Sequence, residues 1–218
     1  MTSPPSPPRR SFRRAPPEER RNAMIRATLA LIGRAGPEAA TVRAIAAEAG
    51  LSVGMIRHHF AGKEELVSAA YEYHMRALNE ATSAAGDQPG RALDRLTAFV
   101  TAALSPPVLD PEAMALWAGF IHMVRRDPAM RDIHERTYYQ FRDRLQTFIA
   151  DALAEAGRTP DAAELRRLAI ASNAVLDGLW LEGGALPDAF AAGELATIGR
   201  NAVAALTGLP LSATEGAS

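Results

Sequence analysis

Arg57, His58, His59 and Phe60 are followed at Lys63 by the single lysine of the chain; the other 23 basic residues are arginines. A guanidinium such as that of Arg57 can donate two hydrogen bonds to O6 and N7 of guanine, the commonest base-specific contact in a major groove. An ammonium such as that of Lys63 pairs with phosphate as a point charge. Upstream, Thr41 and Ser52 offer hydroxyls and nearby backbone N–H groups to phosphate oxygens, and Arg43 can reach a phosphate or a base edge. Between them lie Val53, Gly54 and Met55, of which the small residues at 53 and 54 let a helix end approach DNA closely. His58 and His59 read as polar helix-surface groups, with His59 equally suited to a phosphate contact or to packing. They do not make a metal site, because adjacent side chains on a helix point about 100° apart.

These side chains need an element that presents them together, and the segment TVRAIAAEAGLSVGMIRHHFAGK at positions 41–63 supplies one. Thr41 is an N-cap for a helix that buries Val42, Ile45, Ala46 and Ala49. Gly50 provides the left-handed residue that closes it, and Ser52 caps the next helix. There Ile56 and Phe60, four apart, face inward and leave 53, 54, 55, 57 and 58 facing outward. The result is a helix-turn-helix, in which the first helix braces and the second reads the major groove. A preceding helix from Glu18 carries Ile25, Leu29 and Ile32 at helical spacing and stops at Gly36-Pro37. Gly62 separates the reading helix from a fourth, opened by Glu64-Glu65 near its positive end and running through Tyr71, His74 and Leu78 toward Gly86.

The remainder is also helical in period. Helices are expected near 91–104, 111–126, 128–156, 160–182 and 188–207. Asp110-Pro111, Asp127-Pro128 and Thr159-Pro160 serve as start signals, and Gly157 and Gly183-Gly184 as stops. With no sustained strand-like alternation, the fold class is all-α. Residues 1–17 hold six prolines and four arginines and are expected to form a disordered arm, as are residues 209–218 a disordered tail.

Charge is divided along the chain. Residues 1–63 carry eleven basic side chains against four carboxylates, and the remainder carries 13 against 21, although the whole chain is at −1. A basic head on an acidic body places any polyanion contact at one end. The chain has no cysteine, which removes disulfides, thiolate metal sites and cysteine nucleophiles and fits a cytoplasmic setting. No apolar run reaches the roughly 20 residues of a membrane span, so no membrane partner is expected.

The head resembles the N-terminal domain of the tetracycline-repressor (TetR) family of transcriptional regulators. The resemblance covers about 45 residues at correct spacing, from Ile25, Leu31 and Gly36 through Thr41, Ile45, Ala46, Gly50, Ser52, Gly54, Ile56, His59 and Phe60 to Lys63, Glu64 and Leu66. It implies a DNA-binding domain over 18–78 and a regulatory and dimerisation domain over 79–208. It also implies a homodimer on a palindromic double-stranded operator, and a small-molecule effector in the body. Many members carry tyrosine where this chain has Arg57.

The body resembles more loosely the BetI-type branch of the family, which includes choline-responsive repressors. A choline-like cation requires aromatic faces and a carboxylate, and Trp117, Phe120, Tyr138, Asp177 and Trp180 are the candidates for a ligand site; an ordinary aromatic core explains the same residues. The last two long helices, rich in alanine (Ala169, Ala171, Ala174, Ala202, Ala204, Ala205), are candidates for a dimer interface. The resulting expectation is a ligand-responsive DNA-binding regulator, acting as a repressor, with no cofactor. Two alternatives are a small helical enzyme and a helical protein–protein adaptor. The chain offers neither a phosphate loop nor an HExxH motif nor a nucleophile elbow for the first, and the second leaves the basic head unexplained.

Overall fold

The computed structural model describes residues 16–211, so the expected arm and tail fall outside it for residues 1–15 and 212–218. Among the described residues the chain forms helices α1 (Pro17–Ala35), α2 (Val42–Glu48), α3 (Val53–His59), α4 (Lys63–Gly86), α5 (Ala92–Ala103), α6 (Pro111–Val124), α7 (Pro128–Glu155), α8 (Ala162–Ala185) and α9 (Glu194–Thr207), with no strand. The local signals account for most of their ends. Thr41 Oγ1 accepts from the Ala44 amide at 3.2 Å and Ser52 Oγ from the Met55 amide at 3.3 Å. Each such cap is worth about 1 kcal/mol. Asp110 and Asp127 cap α6 and α7 in the same way. Gly36 and Gly50 have φ of 77° and 65°, in the left-handed region that closes a helix without a Cβ clash.

Several ends differ from expectation. Pro17, expected in the arm, is the first residue of α1, where its missing N–H costs nothing. α8 is capped by Asp161, whose Oδ1 accepts from the Glu164 amide at 2.7 Å, rather than starting at Thr159-Pro160. Nor do Gly183 and Gly184 stop it, for α8 runs through both to Ala185. A Cβ on Gly183 would collide with Leu195 and lie 2.9 Å from Leu109, and one on Gly184 would lie 2.7 Å from Met114 Cβ. These glycines admit neighbouring side chains instead of breaking the helix. α9 begins at Glu194, not 188, because a short 3-10 turn at Pro187–Ala189 and left-handed Gly193 come first. Leu209 and Leu211, expected in the tail, are buried in the body core.

Two hydrophobic clusters organise the molecule. One joins Ile25 and Ile32 of α1, Ile45 and Ala46 of α2, Ile56 and Phe60 around α3, and Leu66, Val67, Ala70 and Tyr71 of α4. It also recruits Phe120 and Val124 of α6 and Met130 and Ile133 of α7. The other gathers Phe99 and Val100 of α5, Leu145, Phe148 and Ile149 of α7, Leu176 of α8 and Val203 of α9. α4 packs against α1 in the head and against α5 and α7 in the body. The expected boundary at residue 78 therefore falls inside one continuous helix. Close approach of α6 to α1 is helped by glycine at position 119, where a Cβ would meet Ile32 Cγ2 at 3.1 Å, whereas one on Gly33 would make an ordinary contact with Leu116 Cδ2 at 3.6 Å.

Gly183→Ala should destabilise the protein by about 1–3 kcal/mol, because the added methyl overpacks the α8–α9 contact. Urea unfolding measures this, and a midpoint within error of the parent would show that Leu195 and Leu109 yield freely.

Candidate functional site

α2 and α3 form the helix-turn-helix that the cap and glycine signals require, with Thr41, Arg43, Ser52, Gly54, Arg57 and His58 exposed on it. Val53 and Met55, expected to face outward, are instead half-buried against the head core. Val53, Ile56 and Phe60 follow i, i+3, i+7 spacing and so share one stripe, which Met55 flanks. His59 also turns inward: its Nε2 is buried without a hydrogen-bond partner, and its ring meets His58 edge-on at 5.3 Å. Lys63 is the first residue of α4 and half-buried, and its ammonium donates to the Pro37 carbonyl at 3.4 Å. One further hydrogen-bond donor on the ammonium can be offered to a phosphate without losing that anchor.

Packing adds two cations that sequence spacing does not reveal. The Arg20 guanidinium reaches Met55 Sδ at 3.7 Å, and that of Arg21 lies 5.1 Å from the centre of the Phe60 ring. Both come from the start of α1, more than thirty residues away in sequence, and so flank α3 only in the folded chain. Arg34 is committed elsewhere, paired with Glu48 at 2.8 Å across α1 and α2.

The body contains a cavity of about 440 Å³ between α4, α6, α7 and α8. Of the five body candidates, Trp117, Tyr138, Asp177 and Trp180 line it. Phe120 does not: it is fully buried in the head-side cluster, 4.9 Å from the Tyr71 ring. It lies three residues after Trp117, and the α6 face it occupies is the one taken up by α1 and α4. Trp180 Nε1 donates to the Val108 carbonyl at 2.8 Å, which holds its ring edge-on to Trp117 at 5.7 Å. Met75, Leu78 and Phe141 extend the apolar wall, and His134 joins Asp177 and Tyr138 among its titratable side chains.

Asp177 is exposed as a residue, while its carboxyl end is tied into the wall. Oδ2 accepts from the Tyr138 hydroxyl at 2.8 Å and from Asn173 Nδ2 at 2.8 Å. Desolvation raises its pKa above the usual carboxylate value, opposed by those two bonds and by nearby His134. The Tyr138 hydroxyl is pushed up to about 12, by burial first and then by its bond to Asp177. Burial lowers the His134 pKa, against the pull of Asp177 and Glu135, which favours a neutral imidazole. Asn173 and His134 escaped sequence reading because neither residue type is unusual on a helix. Only their i, i+4 relations to Asp177 and Tyr138 hint at a shared face.

Residues 24–70 match the family model described as bacterial regulatory proteins, tetR family, and residues 92–208 match that of the BetI-type transcriptional repressor, C-terminal. Among curated relatives, the HTH-type transcriptional regulator BetI of Burkholderia mallei (strain NCTC 10229) is 32% identical over 170 residues, covering 76% of this chain and 82% of the relative. The BetI regulator of Stenotrophomonas maltophilia (strain R551-3) is 32% identical over 75% of this chain and 81% of its own length. A solved structure from Pseudomonas aeruginosa PAO1, described as a transcriptional regulator, is 36% identical with a TM-score of 0.81, covering 91% of this chain and 95% of that one. A regulator from Saccharomonospora viridis solved with choline shares the fold alone, at 21% identity and a TM-score of 0.71 over 84% of this chain and 95% of that one.

Arg57→Ala should weaken binding to a preferred DNA site by about 1–3 kcal/mol and relax selectivity at one base position; equal loss on every sequence in a binding-site selection would reduce Arg57 to a phosphate contact. Lys63→Ala should lower affinity evenly across sequences and reduce the salt slope by about one unit. A slope unchanged in a salt titration would take Lys63 off the phosphate backbone.

Proposed function

The chain belongs to the TetR family of bacterial transcriptional regulators, and from that premise we propose that it represses transcription as a homodimer on a palindromic operator, released when a small organic cation fills the α4–α8 cavity. That it is a ligand-responsive DNA-binding regulator, rather than an enzyme or an adaptor, follows from its family. The observation that carries the finer reading is the position of α4. Leu66, Val67, Ala70 and Tyr71 in its first turns share one hydrophobic cluster with Ile56 of the reading helix and its C-cap Phe60, and Met75, Leu78, Asn79 and Thr82 further along it line the cavity. A ligand that prefers one placement of α4 thereby biases the placement of α3. In a dimer, that changes the separation of the two reading helices, which must match successive major grooves about 34–36 Å apart.

The effector class rests on the wall chemistry. Trp117, Trp180, Tyr138 and Phe141 offer aromatic faces; the Tyr138 phenol is held protonated, and the other ionisable groups are one carboxylate and one imidazole favoured neutral. A cation over such faces gains about 2 kcal/mol or more when desolvated, and Asp177 supplies its counter-charge. The dimer is assigned to α8 and α9, which leave Leu181, Ile198 and Leu206 exposed beside Ala174 and Ala205. Ala169, expected in that interface, is fully buried within the chain.

The reading is tested with the purified protein. Gel shifts on genomic fragments should retain a palindromic fragment against bulk competitor DNA, with two protomers bound per fragment by sedimentation. Choline added to that complex should release it, and should quench Trp117 and Trp180 fluorescence in the free protein. One protomer per fragment would remove the homodimer, and neither quenching nor release would remove the cationic effector.

A further inference from the structure

A row of polar and aromatic contacts leads out of the cavity into the head, and the cavity-lining role alone does not account for it. It begins at Asp177 on α8, which holds the Tyr138 hydroxyl of α7 at 2.8 Å. One turn back on α7, the His134 ring stacks on Tyr138 with centroids 5.7 Å apart and planes 26° apart. His134 Nδ1 then meets the Tyr71 hydroxyl of α4 at 2.6 Å. Tyr71 is fully buried, packs on Phe120 at 4.9 Å and belongs to the same cluster as Ile45, Ile56 and Phe60 of the helix-turn-helix. Three helices are thus linked by side chains whose hydrogen bonds are either made or broken.

We propose that Asp177, Tyr138, His134 and Tyr71 form the coupling relay through which occupation of the cavity is read by the DNA-binding head. The relay rests on the effector-responsive reading above and names the residues that would transmit it. Its pocket end has an alternative arrangement built in. Asn173 is 2% exposed and gives Nδ2 to both the Tyr138 oxygen, at 2.6 Å, and Asp177 Oδ2, at 2.8 Å. Its Oδ1 is buried with no partner at all. A buried acceptor left unpaired is costly. The amide cannot simply turn over while Asp177 is charged, since that would set Oδ1 against Oδ2. Once a ligand cation draws the Asp177 carboxylate toward itself and away from Asn173, the amide can turn over and the Tyr138 hydroxyl can donate to Asn173 Oδ1 instead. The Tyr138 ring then shifts, and the His134 ring stacked on it moves with it.

The head end is equally sensitive to that movement. Burial keeps the Tyr71 hydroxyl protonated, and the neutral imidazole favoured at His134 leaves Nδ1 able to accept its proton. Among the described contacts the hydroxyl has no other hydrogen-bond partner, so displacement of His134 leaves it unsatisfied in the head core. Re-satisfying it requires α4 to move. The apolar contact of α6 with α1 at Gly119 and Gly33 offers a second route, but one without discrete bonded states.

A double-mutant cycle on operator affinity decides between them without requiring the effector to be known. Asp177→Asn removes the charge as a bound cation would, and should change the operator Kd of the full-length protein about five-fold or more, the lower end of ordinary coupling between sites. In a Tyr71→Phe background, which keeps the ring packed on Phe120, the same substitution should change Kd less than two-fold. Tyr138→Phe cuts the relay from the pocket side and should abolish the Asp177→Asn effect in the same way, so the cycle still reads if one background folds poorly. An Asp177→Asn effect of equal size in both phenylalanine backgrounds would overturn the relay in favour of the α6–α1 contact. No effect of Asp177→Asn in the parent protein would overturn it as well. Choline titration of the parent is scored separately: a positive cycle without choline binding keeps the relay and rejects only the cationic effector.

Discussion

Helix α4 is buried in the head core at one end and packed against the body helices α5 and α7 at the other, and the rest of the molecule is arranged around that constraint. Leu66, Val67, Ala70 and Tyr71 pack with the side chains that hold the helix-turn-helix. Fifteen residues beyond Tyr71, Gly86 lies so close to Phe148 of the body core that a Cβ there would sit 2.6 Å from the ring. Protein interiors are packed as densely as organic crystals and pass displacement on instead of absorbing it. A helix clamped at both ends therefore cannot tilt in the body without carrying the head along.

This constraint explains why the cavity lies where it does. A ligand site deep in the body, among Phe99, Leu145 and Ile149, would alter packing without reaching the reading helix. The cavity instead opens along the middle of α4, where half-buried Met75, Leu78 and Asn79 leave room on one face. α6 closes the same space from the other side. Its Trp117 and Ile121 line the cavity, while Phe120 and Val124 enter the head cluster. The polar row from Asp177 to Tyr71 crosses between these two surfaces and adds bonded states to what is otherwise apolar contact.

The DNA-reading face follows a different logic. Its contacts are short-range consequences of capping and of one glycine turn, so α2 and α3 are set by adjacent residues. What packing contributes is selection. It withdraws Val53, Met55 and His59 from the outer face, leaves Arg57 and His58 on it, and brings Arg20 and Arg21 alongside. Arg57 thus stays exposed near the end of α3, on the face that the half-buried residues leave free.

Much of this was legible in the residues themselves. Thr41, Gly50 and Ser52 dictate the turn, because capping and left-handed backbone are satisfied within four residues of the chain. The charge division set apart the end that carries the helix-turn-helix, and four of the five body candidates do line one cavity. Tertiary structure alone decided the rest. Gly183 and Gly184 look like a helix stop and are in fact close-packing sites, since only a neighbouring helix gives a missing Cβ that purpose. Phe120 and Trp117 share a helix and an aromatic character, yet lie in different places because α1 and α4 claim one face of α6. The bond from His134 to Tyr71 joins positions 63 apart in sequence. No local preference of either residue encodes it; it exists only because α4 and α7 are packed side by side.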